Sequence, residues 1–567
     1  KTLVNLVSKE KKNNILLMKK VKTKENTIDI PELFEKIRLS DENKFTKEDF
    51  EKIQTINYKD IDSINFRLKQ RTSLEIYNKN NELVKIDLTM TKNTKNYKHL
   101  NTTYSNYELE IEYGIKEGNP SKDALEVLLN ESIILHKIIQ QSNHLITKSI
   151  SDSVISYYKN IANVDETSNF LDSRQSVSLE IQYLTENIPN KYAVTDKADG
   201  DRYFLIIMNS KVYFISTNLA VKYSGIELKT KDYDGTILDG EYIFISNLNR
   251  HLFLIFDALF IGPKDIRSIQ EFMQRIREAD ILCNKIFVFD KQKGYKINEY
   301  KSDKTFDLSD ILGHHKKEIT KLMKSINEDM KHEKQYPLIR TKYFADATGA
   351  APWEIFAYAE QMYKLYTEDE EVSCPYLLDG LIFQPLLQQY VTKASESKFY
   401  EYKWKPPQKN SIDFYIQFEK DKNTGKILDV YDNSNDDYVR NKPYRICKLF
   451  VGRYNNNNKE SPEPFLEEKG MNLAYIFLTD GDVRDEEGNI IQDNTVVEFY
   501  YDNTQGENTA TPERFRWKPL RTRYDKTESV LRYGKKYGNN AEVAFKIWRS
   551  IITPVLINDF TELAVGN

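Results

Sequence analysis

The most chemically suggestive residue is a lysine, Lys197, in the segment Val194–Arg202, whose sequence is Val-Thr-Asp-Lys-Ala-Asp-Gly-Asp-Arg. An amine attacks phosphorus only when it is unprotonated, so a nucleophilic lysine needs surroundings that disfavour its charge. Taken alone, Lys-x-Asp-Gly is weak evidence, because Asp-Gly is a common hairpin turn. The segment is therefore a candidate whose weight depends on the residues further along the chain.

Five further segments repeat the pattern of a short strand followed by charges or an Asp-Gly turn. Leu254–Asp257 is an apolar strand that ends in a carboxylate, and Tyr402–Pro406 places two lysines on one face of a strand. The five segments, in chain order, are Thr236–Glu241, Leu254–Asp257, Leu378–Phe383, Tyr402–Pro406 and Trp517–Lys526.

In this order, the six segments resemble the motifs of the covalent nucleotidyltransferases, the superfamily of mRNA capping enzymes and ATP- or NAD-dependent ligases. The resemblance covers Lys197 through Lys526 and is specific only as a set. It implies a nucleotidyltransferase domain of antiparallel sheets, similar to ATP-grasp sheets, followed by an OB-fold β-barrel that acts as a lid.

The resemblance also assigns a role to each charge. Lys197 becomes the nucleophile that carries a nucleotide, and Lys403 and Lys405 favour its neutral form and neutralise the α-phosphate. Glu241 and Asp379 lie near the nucleotide and a divalent metal, Mg²⁺ or Mn²⁺, which oxygen ligands suit. The other implied nucleotide-binding residues are Asp199, Gly200, Arg202 on the ribose or phosphate, and Phe256 facing the base.

Four charges near the end of the resemblance are expected to close over the triphosphate and align the pyrophosphate as it leaves. They are Arg521, Arg523, Asp525 and Lys526. The alternative interpretation of this group is a solvated strand of salt bridges.

An ATP-dependent polynucleotide ligase with an accessory N-terminal domain is the main alternative, because ligases share the core, the lysine adduct and the OB domain. Two features favour capping: the Arg-x-Arg-x-Asp-Lys segment after Trp517 and Pro519, and an N-terminal zone that a ligase is not expected to carry. An inactive scaffolding subunit is disfavoured, since all the charged positions are present.

The N-terminal zone contains three strands with alternating polar residues. Period two puts each polar set on one face. For any one strand, a polar face in water is the better interpretation. Three adjacent carboxylates, however, require a cation inside a cavity. The polar sets are Arg67, Lys69, Arg71 and Ser73; then Asp87, Thr89 and Thr91; then Glu108, Glu110 and Glu112.

This pattern resembles the triphosphate tunnel metalloenzymes, the RNA triphosphatases fused to guanylyltransferases in large DNA viruses and cytoplasmic linear plasmids. The resemblance implies that Glu110 and Glu112, with Glu108 a weaker match, hold the metal, and that Arg67, Lys69 and Arg71 bind phosphates. We do not find the N-terminal Glu-x-Glu strand that the family also carries, so either the chain begins after it or the triphosphatase is incomplete.

The size and composition of the chain limit the classes of protein to which it can belong. With 567 residues, 30% charged, 40% hydrophobic and a net charge of −4, we expect a folded protein whose nucleic-acid contacts are local. No apolar run approaches a membrane span, Lys1–Lys20 lacks the apolar core of a signal peptide, and three scattered cysteines fit a reducing compartment without disulfides or zinc. We expect a cytoplasmic location, in a viral factory or virion if the source is viral.

The predicted organisation is an α+β chain of four zones. They are residues 1–160, the triphosphatase tunnel; 175–407, the guanylyltransferase domain with a helical insertion from Pro263 to Glu370; 408–530, the OB lid; and 531–567, a helical connector. The predicted function is mRNA 5′ capping: removal of the γ-phosphate of the nascent RNA 5′ triphosphate end, then GMP transfer from GTP through Lys197. The expected partners are that RNA end and a methyltransferase domain or subunit, and we expect no methyltransferase within this chain.

Overall fold

The computed structural model describes most of the chain, with gaps mainly near the N-terminus. The described residues are 18–21, 27–33, 35–38, 41–44, 46, 48, 65–95, 105–115, 119–189, 191–289, 291–298, 300, 306–332, 336–393, 396–432, 438–457, 459–466, 472–503 and 511–564. The prediction about a signal peptide falls on Lys1–Lys20, nearly all of it outside these residues. Two compact units can be separated, Lys1–Ser156 and Tyr157–Asn567.

The first unit is built around three long antiparallel strands in the order β5-β6-β7. Its elements are β1 (Met18–Val21), β2 (Thr27–Ile30), β3 (Glu35–Arg38), β4 (Asp41–Lys44), β5 (Phe66–Lys79), β6 (Glu82–Thr94), β7 (Asn106–Ile115), α1 (Lys122–Gln140) and the start of α2 (Lys148–Ala162). The sequence predicts a helix after Pro120 with Ser121 as its N-cap. The structure confirms this cap, because the Ser121 hydroxyl accepts a hydrogen bond from the Ala124 amide.

The second unit contains two sheets that share the candidate site. The seven-stranded sheet has the order β12-β11-β10-β13-β14-β15 with β16 beside β14, and the five-stranded sheet has the order β17-β9-β18-β19-β8. The strands are β8 (Val177–Ser178), β9 (Tyr192–Ala198), β10 (Asp201–Met208), β11 (Lys211–Ser216), β12 (Val221–Glu227), β13 (Ile237–Ile245), β14 (Arg250–Ile261), β15 (Lys264–Asp265), β16 (Leu338–Thr341), β17 (Ala345–Asp346), β18 (Leu378–Pro385) and β19 (Tyr402–Trp404).

Helices cover the outer faces of these two sheets, and most of them come from the predicted helical insertion. Buried residues of α5 and α6 join those of β9 and β18 in one core, and α4 packs on β14 in another. The helices of this part are α3 (Ile181–Glu186), α4 (Phe272–Ile286), α5 (Leu308–Asp329) and α6 (Glu354–Thr367). The helical character predicted for Pro263–Glu370 is thus observed.

A six-stranded antiparallel sheet follows, with the order β22-β21-β20-β24-β25 and β23 beside β21. Its strands are β20 (Ser411–Phe418), β21 (Tyr444–Tyr454), β22 (Glu460–Pro464), β23 (Leu473–Phe477), β24 (Val496–Tyr501) and β25 (Trp517–Thr522). Three helices end the chain: α7 (Tyr524–Tyr533), α8 (Ala541–Ile552) and α9 (Ile557–Ala564). Of the apolar residues Val543, Ile547 and Ile551 in α8, only Ile551 is buried, and Val543 is 46% exposed.

The described helices include none that is both long and apolar enough to span a membrane. The three cysteines are free, as expected, and Cys283 and Cys447 are buried.

Candidate active site

Lys197 lies near the end of β9, in the middle of the five-stranded sheet. Its neighbours Asp196 and Ala198 are fully buried, whereas its own side chain is 23% exposed. Alternation along the strand therefore turns Lys197 towards an accessible face and Asp196 towards the interior. In the paired strand β18, Gly380 is directly opposite Lys197.

A carboxylate from β18 joins Lys197 to a second lysine. The ammonium group of Lys197 donates to Oδ2 of Asp379 at 2.5 Å, and Nζ of Lys405 lies 2.8 Å from the same oxygen. Burial alone would raise the pKa of Asp379, but the two ammonium groups outweigh it and lower that pKa below its ordinary value. Asp379 is therefore ionised at neutral pH and holds both lysines at one point.

Lys403 completes the group of lysines from β19. It is opposite Ile382 in the register with β18, and its ammonium group makes no hydrogen bond or ion pair with any residue that the structure describes. Burial, reinforced by the positive charges of Lys405 and Lys197, lowers the pKa of Lys403. A cation in this setting, beside two others, is suited to bind an anion such as a phosphate.

Two glycines of the Asp-Gly pairs let neighbouring strands approach this site. Gly200 lies in a turn after β9, whereas Gly380, which was expected in a turn, lies within β18. Gly380 has a φ of +151°, and a Cβ there would lie 2.0 Å from the carbonyl oxygen of Trp404. At Gly200, a Cβ would lie 2.8 Å from Ile243 and 2.9 Å from Glu241. Close packing at the site therefore leaves no room for a side chain at either glycine.

Glu241 comes from β13 of the other sheet, where it is opposite Arg202 of β10. Burial raises its pKa above the ordinary value, and the positive charges of Lys342, Lys197 and Arg202 offset this only in part. Its carboxylate makes no hydrogen bond or ion pair within the described part of the chain. An uncompensated carboxylate close to Lys197 is a candidate cation ligand.

Arg202 and Phe256 were expected to contact the nucleotide, but here they contact each other and protein groups. The Arg202 guanidinium donates to both oxygens of Asp239, at 2.9 and 2.5 Å, and lies 5.3 Å from the ring centre of Phe256. Tyr390 also donates to Asp239, at 2.6 Å. Asp199 is exposed on the turn, and its amide donates to the Leu377 carbonyl.

A buried ionic network beneath the site was not predicted from sequence. Arg275 donates to both oxygens of Asp257, and Arg174 lies 3.3 Å from Asp257 and 3.0 Å from Glu401. Asp257 ends one of the six motif segments, so the sequence marks its charge but not its partners. Arg174 and Arg275 lie in stretches without any motif, and no local signal marks them.

Asp196, the neighbour of Lys197, also has buried partners far away in the chain. Lys342 donates to its carbonyl oxygen at 2.9 Å and pairs with its carboxylate at 3.2 Å, and the Tyr376 hydroxyl donates to it at 3.1 Å. These contacts fix the backbone that carries Lys197.

The charges of the last motif are paired inside the six-stranded sheet. Arg523 lies 2.9 Å from Asp413, which also accepts from Lys526, and Arg521 pairs with Glu498 at 2.7 Å. Asp525 pairs with Arg523 at 3.2 Å. No ion pair or hydrogen bond in the described chain joins these four charges to Lys197, but Arg523 lines a cavity together with Lys403 and Lys405.

In the first unit, the register of β5, β6 and β7 brings the three polar sets to one face of the sheet. Arg71 is opposite Thr89, and Asp87 is opposite Glu110. The carboxylates are paired with cations across this face: Glu108 with Arg67, Glu110 with Arg71 at 3.3 Å, and Glu112 with Lys85 at 2.7 Å. Lys69 is exposed and opposite Thr91.

The cation expected beside the three glutamates is thus provided by arginine and lysine. The part of the chain that the structure describes contains no group of three or more metal-ligating side chains placed to hold an ion.

Comparison with known proteins agrees with the motif order. Residues 142–336 match the family described as "mRNA capping enzyme, catalytic domain". A probable mRNA-capping enzyme of Acanthamoeba polyphaga mimivirus is 38% identical over 500 residues, which are 87% of this chain and 40% of that protein. An mRNA-capping enzyme of Caenorhabditis elegans is 27% identical over 43% of this chain and 33% of its own length.

The chain therefore spans less than half the length of these two relatives. Among solved structures, a mycobacterial DNA ligase D complexed with ATP and MES is 11% identical and covers 63% of this chain and 96% of its own. The TM-score of 0.28 is too low for this likeness to support an argument.

Proposed function

We propose that this chain, which carries the catalytic domain of the mRNA capping enzyme family, is a guanylyltransferase that joins GMP to Lys197 and passes it to RNA. The observation that supports this most is the convergence of Lys197, Lys405 and Lys403 around Asp379. An unprotonated Lys197 attacks the α-phosphorus of GTP, an N–P bond forms, and pyrophosphate leaves. A terminal oxygen of the RNA 5′ diphosphate then attacks the same phosphorus and releases the lysine.

In this proposal each neighbouring group has a physical role. Asp379 accepts a hydrogen bond from Lys197 and so orients the amine, and the ammonium of Lys403 meets the α-phosphate where negative charge develops. Six further residues are proposed to contact the nucleotide: Asp199, Gly200, Arg202, Glu241, Phe256 and Arg521. To reach a ribose or phosphate, Arg202 must give up part of its pairing with Asp239.

Divalent metal fits this site, since Glu241 is a half-buried carboxylate without a hydrogen-bond partner among the described residues and lies close enough to Lys197 for that charge to act on its pKa. Glu241, with Asp379, would hold Mg²⁺ or Mn²⁺, which when bound neutralises phosphate charge. Ionisation of Glu241, which burial opposes, becomes favourable once a cation is beside it.

The six-stranded sheet would serve as the OB-type lid. Arg523 and Lys526 are held by Asp413 in the observed arrangement, so closure over a triphosphate would exchange carboxylate partners for phosphate oxygens. Asp525 would keep Arg523 oriented during that exchange.

The test of the guanylyltransferase is covalent labelling. The chain is incubated with GTP or ATP, labelled on the α-phosphorus, and Mg²⁺, and then run on a denaturing gel. We expect an adduct with GTP and not with ATP, and none in Lys197→Ala, with Lys211→Ala, a half-buried strand lysine outside the site, labelled normally. An adduct formed only with ATP would support the polynucleotide ligase instead, and labelling of Lys197→Ala would place the nucleophile elsewhere.

For the first unit we propose RNA 5′-triphosphatase activity on the shared face of β5, β6 and β7. Arg67, Lys69 and Arg71 would bind phosphates, while Glu110 and Glu112, with Glu108, would hold the metal. The pairing of each glutamate with a cation supports this only indirectly: a triphosphate would draw the cations away and leave the carboxylates free for a metal.

Its test is release of labelled γ-phosphate from triphosphate-ended RNA. Glu110→Ala should abolish release while GMP loading stays unchanged, because the two sites are proposed to be in separate units. Glu126→Ala, an exposed glutamate on α1, is the matched control. Loss of both activities in Glu110→Ala would contradict separate sites.

The proposed partners are the 5′ end of nascent RNA and a guanine methyltransferase domain or subunit that acts on the product. A cytoplasmic location, such as a viral factory, is proposed because the mimivirus protein shares 38% identity with this chain.

A further inference from the structure

A cavity of about 290 Å³ lies between the strand that bears the lysines and the six-stranded sheet. One wall contains Lys403 and Lys405, and the opposite wall contains Arg523, Asp413 and Glu498. Lys405 also touches Asp379, which in turn holds Lys197, so the cavity begins one side chain away from the nucleophile.

The composition of the charged walls argues against a site for pyrophosphate alone. Three cations face the cavity, but two carboxylates, Asp413 and Glu498, line it as well. Carboxylates repel a polyphosphate, whereas they accept hydrogen bonds from ribose hydroxyls or from the amino groups of bases.

The rest of the lining combines polar side chains with an aliphatic part, which a purely anionic ligand would not use. Val543 and Ile547 of α8 line it together with Val555 from the segment before α9. Val543 is 46% exposed and Ile547 is half-buried, so apolar surface faces an open, partly charged space. A nucleotide matches this lining, because it has phosphates at one end and a flat base that can pack on aliphatic side chains at the other.

We propose that this cavity binds the terminal nucleotide of the acceptor RNA, with its 5′ diphosphate beside Lys403, Lys405 and Arg523 and its base or ribose against Val543 and Ile547. The proposal rests on the proposed guanylyltransferase function and adds to it the place where the second substrate binds. Helix α8, which lies outside all six motif segments, becomes part of the acceptor site.

The experiment measures RNA binding and GMP loading separately. A short RNA with a 5′ diphosphate and a 3′ fluorophore is titrated with the unaltered chain, with Val543→Glu and with Ile552→Glu. Ile552 is the control, because it is on the same helix, is 50% exposed and does not line the cavity. The same RNA with a 5′ hydroxyl tests the contribution of the phosphates.

A carboxylate at position 543 would face both the aliphatic wall and the 5′ phosphates. We expect Val543→Glu to raise the Kd for the diphosphate RNA about tenfold, equivalent to roughly 1.4 kcal/mol. Ile552→Glu should bind the RNA like the unaltered chain and should form the GMP adduct at the unaltered rate.

Equal Kd values for the two variants would overturn the acceptor site. So would equal Kd values of the unaltered chain for the diphosphate RNA and the 5′ hydroxyl RNA, since the 5′ phosphates would then make no contact with Lys403, Lys405 and Arg523. Absence of any adduct in the unaltered chain would instead overturn the guanylyltransferase proposal, and the RNA titration does not depend on that result.

Discussion

At the scale of single residues, the candidate site is a balance between three lysines and two carboxylates. Asp379 is ionised because Lys197 and Lys405 are within hydrogen-bonding distance of it. Glu241 has no such partner among the described residues, and burial shifts its pKa upwards. The two acids therefore differ in environment: Asp379 positions amines, and Glu241 is available to a cation.

This difference predicts a pH-dependent effect of Glu241→Gln on stability. A carboxyl group whose folded pKa lies above the unfolded value stabilises the fold at low pH, and this contribution is lost as pH rises through the folded pKa. Glu241→Gln has no ionisable group at this position, so its stability does not fall as pH rises through the pKa of Glu241. Without divalent metal, we expect Glu241→Gln to unfold at a higher temperature than the unaltered chain at pH 8, with the difference vanishing towards pH 4.

Adduct formation with GTP and Mg²⁺ should fall roughly tenfold or more in the same variant, since a charge-assisted contact is lost. Thermal unfolding at several pH values and single-turnover labelling measure the two effects. A stability difference that is constant with pH would show that ionisation of Glu241 is not its cause.

At the scale of elements, the site depends on how closely β18 approaches β19. Gly380 is opposite Lys197 on one side, and its Cα faces the Trp404 carbonyl on the other. The close approach sets the position of Lys405, which directly follows Trp404 and reaches Asp379. Gly380 therefore positions the lysines, although a glycine has no side chain that could take part in the reaction.

Gly380→Ala should destabilise the chain by about 3 kcal/mol or more, because a Cβ combines an unfavourable φ with a clash against backbone. Gly488→Ala is the control: its φ is +85°, but no heavy atom lies within 4 Å of the added Cβ. It should cost about 1–2 kcal/mol. The free energy of unfolding of both variants is measured with urea. Equal losses would mean that the β18–β19 contact adapts to the added methyl group without further destabilisation.

At the scale of the second unit, the C-terminal segment connects the six-stranded sheet with the five-stranded sheet that bears Lys197. Helix α8 packs through Trp548 into the core of the six-stranded sheet. Helix α9 instead packs through Phe560 against Phe356 and Trp404, and the Trp404 indole donates to the Val555 carbonyl at 2.7 Å. The proposed lid is therefore attached at both of its ends, and any closing motion must pivot about two connections.

Phe560→Ala should destabilise this unit by about 3–5 kcal/mol, because a fully buried ring leaves a cavity among three aromatic side chains. Leu556→Ala, at a position 43% exposed in the same segment, should stay within about 0.5 kcal/mol of the unaltered chain. Denaturant unfolding checks both values. A small effect of Phe560→Ala would show that α9 contributes little to the core.

Several features could be predicted from the sequence because they depend on local geometry. Period-two alternation predicted that each strand carries its polar set on one side, and the register of the strands then brings Arg71, Asp87 and Glu110 to a shared face. The Ser121 cap and the helical insertion were predicted for the same reason. The order of the six motifs identified the family resemblance, which comparison with known proteins supports.

The partner of each charge was decided only by the tertiary structure. Arg202 binds Asp239, Arg523 and Lys526 share Asp413, and Lys403 is left without a partner among the described residues. The last motif and Asp413 are separated by about a hundred residues, so no local pattern indicates their contact. A sequence determines which charges exist and which face of a strand they occupy, but distance and burial decide which of them neutralise each other.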